Sequence, residues 1–309
     1  MSRVAAIDCG TNSIRLLVVD IDLDSDGPHL VELTRRMEIV RLGAGVDRTG
    51  ELAPEALERT FTALRSYAAA IDRLGATRIR MVATSATRDA RNRDELVKGV
   101  RAILGVDPEV ITGDEEAALS YAGAAAELPS AKTPILVADI GGGSTELVLG
   151  DASGVLAARS VNIGCVRMAE RHLRSDPPGP DEAAAIVADV NAALDLAEQT
   201  VPLRDAATLV GVAGTVTTVA ALAAGLPAYD SERIHLLATP AVDVADVTAK
   251  LLAMTHAERA ALPVMHPGRV DVIAAGALVL RTLVERVGLP AVIASERDIL
   301  DGIAFSLGR

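Results

Sequence analysis

Short apolar runs, polar turns and helical apolar stripes alternate along the chain, a pattern typical of an α/β fold. Val4–Asp8 predicts a strand, and after a turn at 10–13 Ile14–Ile21 predicts a second. A polar hairpin loop, DLDSDGP, leads to a third extended segment, His29–Leu42. Beyond it, apolar residues recur at helical spacing between Pro54 and Gly75, which suit the two ends of a helix.

The second half repeats this order. It opens with a strand at Ile135–Asp139, a turn at Gly141–Ser144 and a strand at Thr145–Leu149. Residues 7–20 laid over 138–151 give five identities in 14: Asp8 with Asp139, Gly10 with Gly141, Ser13 with Ser144, Leu16 with Leu147, and Asp20 with Asp151. This predicts two related lobes, 1–128 and 129–309, with a ligand cleft between them.

The segment 206–229 carries no charged residue and is long enough to span a bilayer. Its glycines and threonines favour another interpretation, a buried strand, a glycine turn and a buried helix that ends at Gly225. We therefore expect no membrane segment.

Composition narrows the function. The chain has 309 residues and a net charge of −12, which argues against nonspecific nucleic-acid binding. Aromatic residues make up 2%, too few for base stacking as the main mode of recognition, and two cysteines exclude a disulfide framework. The N-terminal residues show no secretory signal, so a cytoplasmic location is expected.

The residues that could bind an anion or a metal ion lie in and beside glycine-rich turns. Gly141, Gly142 and Gly143 allow close backbone approach to an anion, and Ser144 adds a hydroxyl donor. Asp139 and Glu146 flank the turn and suit Mg²⁺, which prefers oxygen ligands. The first lobe has a similar candidate phosphate-binding turn in residues 8–13, with Asp8, Gly10, Thr11, Asn12 and Ser13.

A third glycine turn contains Gly211, Gly214 and Thr215 and precedes the buried helix. The N-terminus of the helix that follows the turn could bind an anion. The other interpretation is that the glycines only allow the strand and the helix to pack tightly.

Residues 78–101 hold seven Lys or Arg against three acidic residues, in an otherwise acidic chain. Arg88, close to the end of a strand, is the best phosphate ligand among them. Glu115 and Glu116 begin a later helix about 100° apart, so they face different directions. One of them suits a catalytic base, although acidic residues are also common at helix starts. The sequence contains no GxxxxGK[ST], HExxH or GxSxG motif.

Six segments, taken in order, resemble the exopolyphosphatase/guanosine pentaphosphate phosphohydrolase family. They are IDCGTNSIRLLV, ATSATRDARN, TGDEEA, DIGGGSTEL, NIGCVRM and GVAGT, and the resemblance extends to SERDILDGIA at 295–304. It implies two ribonuclease H-like domains of the actin, sugar kinase and Hsp70 superfamily. The length matches the short, two-domain members.

The resemblance also implies roles for particular residues. Glu116 would activate water, and Asp8, Asp139 and Glu146 would accompany Mg²⁺, or Mn²⁺ in its place, and the bound phosphate. Residues 141–144 and Arg88 would bind phosphate. Family members often end in Leu-Arg-Glu-Gly, whereas this chain has Ile299-Leu-Asp-Gly302 and lacks the arginine.

The expected reaction is hydrolysis of the terminal phosphate of inorganic polyphosphate. Guanosine pentaphosphate is the alternative substrate, and a kinase of the same superfamily is a third enzymatic option, disfavoured by TGDEEA. A non-catalytic polyphosphate or nucleotide sensor is the alternative outside enzymes. A homodimer is compatible with the resemblance, because family members often associate.

Overall fold

The computed structural model describes residues 2–24, 27–128 and 130–308. Two compact units make up the chain: Met1–Gly123 together with Ile299–Arg309, and Ala124–Asp298. The predicted limits, 1–128 and 129–309, place the boundary after residue 128 rather than after Gly123, and they assign the C-terminal segment to the other unit. The last helix packs on the sheet of the first unit, and a sequence pattern does not show this.

The first unit contains a five-stranded sheet in the order β3-β2-β1-β4-β5. Its strands are β1 Ser2–Cys9, β2 Ser13–Asp24, β3 Gly27–Ile39, β4 Arg78–Ala83 and β5 Glu109–Val110. The first three are antiparallel, and β4 and β5 run parallel to β1. Of the predicted hairpin loop, residues 25 and 26 lie outside the described residues.

Helices follow the strands of the first unit. They are α1 Val46–Thr49, α2 Pro54–Leu74, α3 Ser85–Asp89, α4 Arg93–Leu104 and α5 Gly113–Ala125. Alternate residues of β1 enter two cores, because successive strand side chains point to opposite faces. Ala5, Ile7 and Cys9 pack in the core that includes Leu64 and Leu96, from α2 and α4.

The second unit repeats the strand order and adds one edge strand, giving β10-β11-β9-β6-β7-β8. Its strands are β6 Ile135–Ile140, β7 Thr145–Asp151, β8 Gly154–Val161, β9 Thr208–Val212, β10 Leu237–Pro240 and β11 Ala291–Ala294. Its helices are α6 Cys165–His172, α7 Pro180–Glu198, α8 Ala213–Ala223, α9 Ser231–Ile234, α10 Ala241–Ala253, α11 His256–Ala260 and α12 Ile273–Val287. Short 3₁₀ turns lie at Leu203–Asp205 and Pro267–Arg269.

Three antiparallel strands followed by two strands parallel to the first occur in both units, and β10 is added antiparallel to β11. This arrangement confirms the predicted α/β fold and its duplication. The uncharged segment forms β9 and α8, as predicted. Among the described residues no helix has both the length and the apolarity needed to cross a bilayer.

The C-terminal helix α13, Ile299–Leu307, belongs to the first unit. Ile299, Leu300 and Ile303 are buried against Val4 and Leu17, on the face of the sheet opposite α2. Asp301 is buried and binds Arg35 of β3 at 2.6 Å. Unit 1 is therefore built from both ends of the chain.

Candidate active-site elements in the two units

The turn after β1 directs its carbonyls into the protein. Gly10 N–H donates to the Ser13 carbonyl at 3.0 Å, which closes the turn. The Thr11 carbonyl accepts from Gly43 N–H at 2.8 Å, and the Asn12 carbonyl accepts from Val40 and Arg41 at 3.0 and 2.8 Å. Across the described residues, the N–H groups of Thr11 and Asn12 have no acceptor.

The turn after β6 has the same construction. Gly141 N–H donates to the Ser144 carbonyl at 3.1 Å. The first amides of α6 then donate to the turn carbonyls: Cys165 to Gly141 and Val166 to Gly142, both at 2.9 Å. In the described part of the chain, no acceptor meets the N–H groups of Gly142, Gly143 or Ser144.

Each turn therefore leaves successive N–H groups unused while its carbonyls are bonded. This is the arrangement of an anion-binding nest, in which backbone dipoles converge on a negative ligand. The predicted phosphate-binding residues Gly10, Thr11 and Asn12 lie together in the first nest, with Ser13 closing it. Gly141, Gly142, Gly143 and Ser144 lie together in the second.

Two glycines outside the turns make this geometry possible. A methyl group on Gly164 would lie 2.3 Å from the Gly142 carbonyl carbon and oxygen. One on Gly43 would lie 2.3 Å from the Thr11 side chain. Neither glycine was predicted as a site residue, although the repeat extends to them as Val40-Arg-Leu-Gly43 and Val161-Asn-Ile-Gly164.

The aspartate that precedes each glycine turn lies opposite a different kind of charge in the two hairpins. Asp8 lies opposite Arg15, and their side chains form a salt bridge of 2.6 Å. At the equivalent positions Asp139 lies opposite Glu146. Asp139 is 6% exposed and Glu146 is 1% exposed, so two buried carboxylates are direct neighbours across the ladder. Like charges in this relation destabilise a sheet, and a cation would relieve the repulsion.

This carboxylate pair fits a magnesium ion. Mg²⁺ keeps several waters and binds proteins through one or two carboxylates plus substrate phosphates. Ser160 donates to Glu146 at 2.7 Å and holds one carboxylate oxygen in place. Within the described ranges, no group of three or more His, Cys, Asp or Glu side chains is arranged around one metal position. The protein would thus supply a pair of carboxylates rather than a complete cage.

Glu116, the predicted base, is buried at the start of α5, and its Oε2 accepts from Arg88 at 3.0 Å. Arg88 also donates to the Ile111 carbonyl at 3.0 Å. Glu115 is exposed and pairs with Arg80 at 2.8 Å. The two glutamates face different directions, as the helical spacing predicts. The strands that lead to Asp8, Arg88 and Glu116 are parallel, so all three lie at one edge of the first sheet.

Much of the positive charge in the basic window is neutralised locally. Besides Arg88, Arg80 pairs with Glu109, Arg91 with Glu51, and Arg101 with Asp107. The acidic partners of Arg91 and Arg101 lie outside the window, which is why counting charges within it overstated its free positive charge.

The third glycine turn packs around an arginine. A methyl group on Gly214 would lie 2.3 Å from the Arg269 guanidinium, which donates to Thr218 at 3.2 Å. Gly211 packs against Val216 in the same way, and Thr215 is buried. Close packing is therefore part of the role of these glycines, and the predicted contact of this turn with substrate stays a prediction.

Three arginines at these turns were missed by the sequence analysis: Arg15, Arg167 and Arg269. Arg167 donates to the Gly143 carbonyl at 2.7 Å. Their positions become clear only from strand register and helix packing, although Arg15 and Arg167 lie inside the segments IDCGTNSIRLLV and NIGCVRM.

Both cysteines are buried next to the turns. Burial raises the pKa of the Cys9 thiol far above its ordinary range, and the nearby Asp8 carboxylate adds to this. Burial also raises the pKa of Cys165, although a hydrogen bond with Thr215 opposes it. Because the thiolate is the reactive form of cysteine, both thiols are poor candidates for a nucleophile.

The model of the Ppx/GppA phosphatase family matches residues 18–308. The chain belongs to this family. It is 51% identical to exopolyphosphatase 2 of Mycobacterium tuberculosis over 99% of both chains. It is 35% identical to a guanosine-5'-triphosphate,3'-diphosphate pyrophosphatase of Vibrio atlanticus, over 69% of this chain and 42% of that protein.

Solved structures agree with the family assignment. A crystal structure described as an exopolyphosphatase-like protein superposes with a TM-score of 0.94 at 44% identity, over 99% of both chains. The Aquifex aeolicus member of the Ppx/GppA family gives 0.80 at 30% identity, over 99% of this chain and 97% of that one. The expected family is thus confirmed, and the protein is a member of a family of hydrolases.

Proposed function

We propose that this protein hydrolyses the terminal phosphate of inorganic polyphosphate and releases orthophosphate. The observation that carries the proposal is the pair of nests, one in each unit, in which backbone donors are held ready for phosphoryl oxygens. A relative at 51% identity over the full length is named an exopolyphosphatase, which supports the same substrate.

In the proposed reaction Glu116 accepts a proton from a water molecule. The water oxygen then attacks the terminal phosphorus, the bond to the bridging oxygen breaks, and orthophosphate leaves. Arg88 donates to Glu116 Oε2 at 3.0 Å and holds the carboxylate in place. The nest amides bind the phosphoryl oxygens, on which charge accumulates in the transition state.

Phosphatases of this family generally depend on a divalent metal ion. We propose Mg²⁺, with Mn²⁺ as a substitute, and Asp139 and Glu146 as the residues that hold it. When bound, the ion would neutralise charge on the phosphate oxygens. Asp8 was predicted as a further metal ligand. Its bond to Arg15 suits it better to orienting the first turn, and we assign it that role.

Phosphate release with and without Mg²⁺ tests the proposal. Wild-type protein is expected to release orthophosphate from polyphosphate only with the metal. Glu116→Gln should keep its fold by circular dichroism and lose activity by a factor of about 10² or more. Glu115→Gln is the matched control, because it changes the adjacent exposed carboxylate, and it should retain activity. Equal activity in wild type and Glu116→Gln would remove Glu116 from the mechanism.

Guanosine pentaphosphate is the second candidate substrate, favoured by the similarity to the Vibrio enzyme. Parallel assays decide between the two by comparing kcat/KM for polyphosphate and for guanosine pentaphosphate. Tight binding of polyphosphate without release over hours would instead indicate a sensor. We further propose a cytoplasmic location, and light scattering checks the expected homodimer.

A further inference from the structure

Three hydroxyl groups in the first unit are buried without a hydrogen-bond partner among the described residues. They belong to Thr11, which is 7% exposed, Ser85 at 2% and Thr87 at 0%. A buried hydroxyl without a partner destabilises a protein, so native structures seldom keep one unless a ligand or water meets it. All three follow the carboxyl ends of β1 and β4, which are adjacent strands.

Ser85 lies on the same side of α3 as Arg88, the candidate phosphate ligand. It lies three residues before Arg88, so the two side chains share one face of the helix. Arg88 in turn binds the Glu116 carboxylate. Thr87 is two residues from Ser85, about 200° around the helix, and faces the other way.

Ser85 is also near the first nest. A methyl group on Gly43 would lie 3.0 Å from the Ala86 side chain and 3.2 Å from the Cβ of Thr11, so these two residues flank Gly43. Thr84 N–H donates to the Cys9 carbonyl at 3.1 Å, which fixes the start of α3 beside the end of β1. The Ser85 hydroxyl, the first nest and the Arg88–Glu116 pair therefore lie along one edge of the sheet.

We propose that Ser85 is an additional substrate ligand, whose hydroxyl donates a hydrogen bond to a phosphoryl oxygen. The inference rests on the proposed function and adds a residue to its site. The neighbouring donors are the Thr11 and Asn12 amides and the Arg88 guanidinium. The carboxylates of Asp8 and Glu116 also lie at this edge, and each is bonded to an arginine. Because the amides that remain are donors, a ligand rich in acceptors suits this edge. A hydrogen bond from a hydroxyl to an anionic oxygen is short and strong.

The test compares Ser85→Ala with wild type, using tripolyphosphate as substrate with Mg²⁺. Loss of one hydrogen bond to a charged group should raise KM about tenfold and leave kcat within about threefold. Without ligand, the melting temperature should stay equal or rise by about 1–2 °C, because an unsatisfied buried hydroxyl has been removed. A structural hydroxyl would give the opposite sign, a lower melting temperature.

Thr87→Val is the matched control. It removes an equally buried and equally unpartnered hydroxyl from the same helix, on the other side, and keeps the side-chain volume. Its melting temperature should rise while KM is unchanged. A KM for Ser85→Ala within twofold of wild type overturns the proposal, and so does an equal rise of KM in Thr87→Val. If Ser85→Ala does not fold, Ser85→Cys, which keeps the volume and is a weak donor, decides by the same criteria.

Failure of the proposed function is distinguishable from failure of this inference. If wild-type protein releases no phosphate, the activity is wrong, and the ligand role is decided by the rise in melting temperature with tripolyphosphate. If tripolyphosphate raises the melting temperature of wild-type protein, and raises that of Ser85→Ala by less, the hydroxyl is supported as a ligand. Equal rises in melting temperature for the two proteins, or no rise in wild type, overturn the ligand role of Ser85.

Discussion

Arg15 and Glu146 occupy equivalent places in the two hairpins, each opposite the aspartate that precedes a glycine turn. The first pair, Asp8 with Arg15, is neutral, and the second, Asp139 with Glu146, carries two negative charges when ionised. One residue difference therefore favours a cation in the second unit, while the first keeps its aspartate in a salt bridge. Aligning the two halves pairs Arg15 with Glu146, but only the strand register shows that each faces an aspartate.

Replacing Arg15 tests the cost of leaving Asp8 buried without its partner. Arg15→Met should lower the free energy of unfolding by about 3 kcal/mol, since breaking one side of a buried pair costs about 3–5 kcal/mol and Arg15 retains some exposure. Urea denaturation measures the loss. Arg3→Met is the control on the same pair of strands, because Arg3 faces Asp20 in a pair that is more exposed than Asp8 with Arg15. A loss in Arg3→Met as large as that in Arg15→Met would contradict the argument.

The two cysteines give a second prediction at this scale. Burial raises the pKa of both thiols, so the reactive thiolate is scarce and shielded in the folded protein. We expect Ellman's reagent at pH 8 to label neither Cys9 nor Cys165 in native protein and both in denaturant. Rapid labelling of one thiol in the native state would show that its turn opens readily.

Among the secondary-structure elements, α6 supports the second nest most directly. Its first amides occupy the carbonyls of Gly141 and Gly142, so the turn amides remain for a ligand. The helix approaches this closely because residue 164 is glycine. Similarly, Gly43 allows the backbone after β3 to meet Thr11. Both turns thus depend on the segment that follows the third strand of their own unit.

Gly164→Ala should damage the second nest without removing any donor from it. The added methyl group would meet Gly142 and Gly143 backbone atoms at 2.3 and 2.4 Å, so the turn must shift. We expect phosphate release to fall at least tenfold, with a loss of stability of about 1–3 kcal/mol. The control is Gly179→Ala, where the nearest atom would lie at 3.5 Å. It should keep activity and lose at most about 1 kcal/mol from a weaker helix cap.

The apolar periodicity and the glycine turns predicted most of the longer elements, including β9 and α8 in the uncharged segment. The short elements α1, α9, β10 and α11 escaped because four or five residues are too few to show a period. Among the candidate site residues, Asp139, Glu146 and Glu116 were recognisable from motif and resemblance. The partners of Asp8 and Glu116 are set by strand pairing and packing, and sequence order does not display these.

At the scale of the whole molecule, the first unit depends on the last segment of the chain. Helix α13 covers one face of the first sheet with Ile299, Leu300 and Ile303. Arg78 donates to the Leu307 carbonyl, and Asp301 holds Arg35. Gly302 allows this packing, since a methyl group there would lie 2.0 Å from the Leu119 carbonyl oxygen.

Truncation after Asp298 should therefore disturb the distant N-terminal half. We expect the shortened chain to expose the core around Val4 and Leu17, to bind a hydrophobic dye and to lose amide-exchange protection in β1 and β2. Strands β6 and β9 should stay protected. Retained protection in β1 of the truncated protein would show that α13 is dispensable.

The placement of α13 also has a consequence for synthesis on the ribosome. Residues 1–123 emerge first, but one face of their sheet lacks the α13 side chains that pack on it until that helix leaves the exit tunnel. The second unit, continuous in the chain, can complete its fold earlier. The half that is translated first is thus the half that matures last, and in the interval the nascent chain presents an apolar sheet face suited to a chaperone that acts during translation.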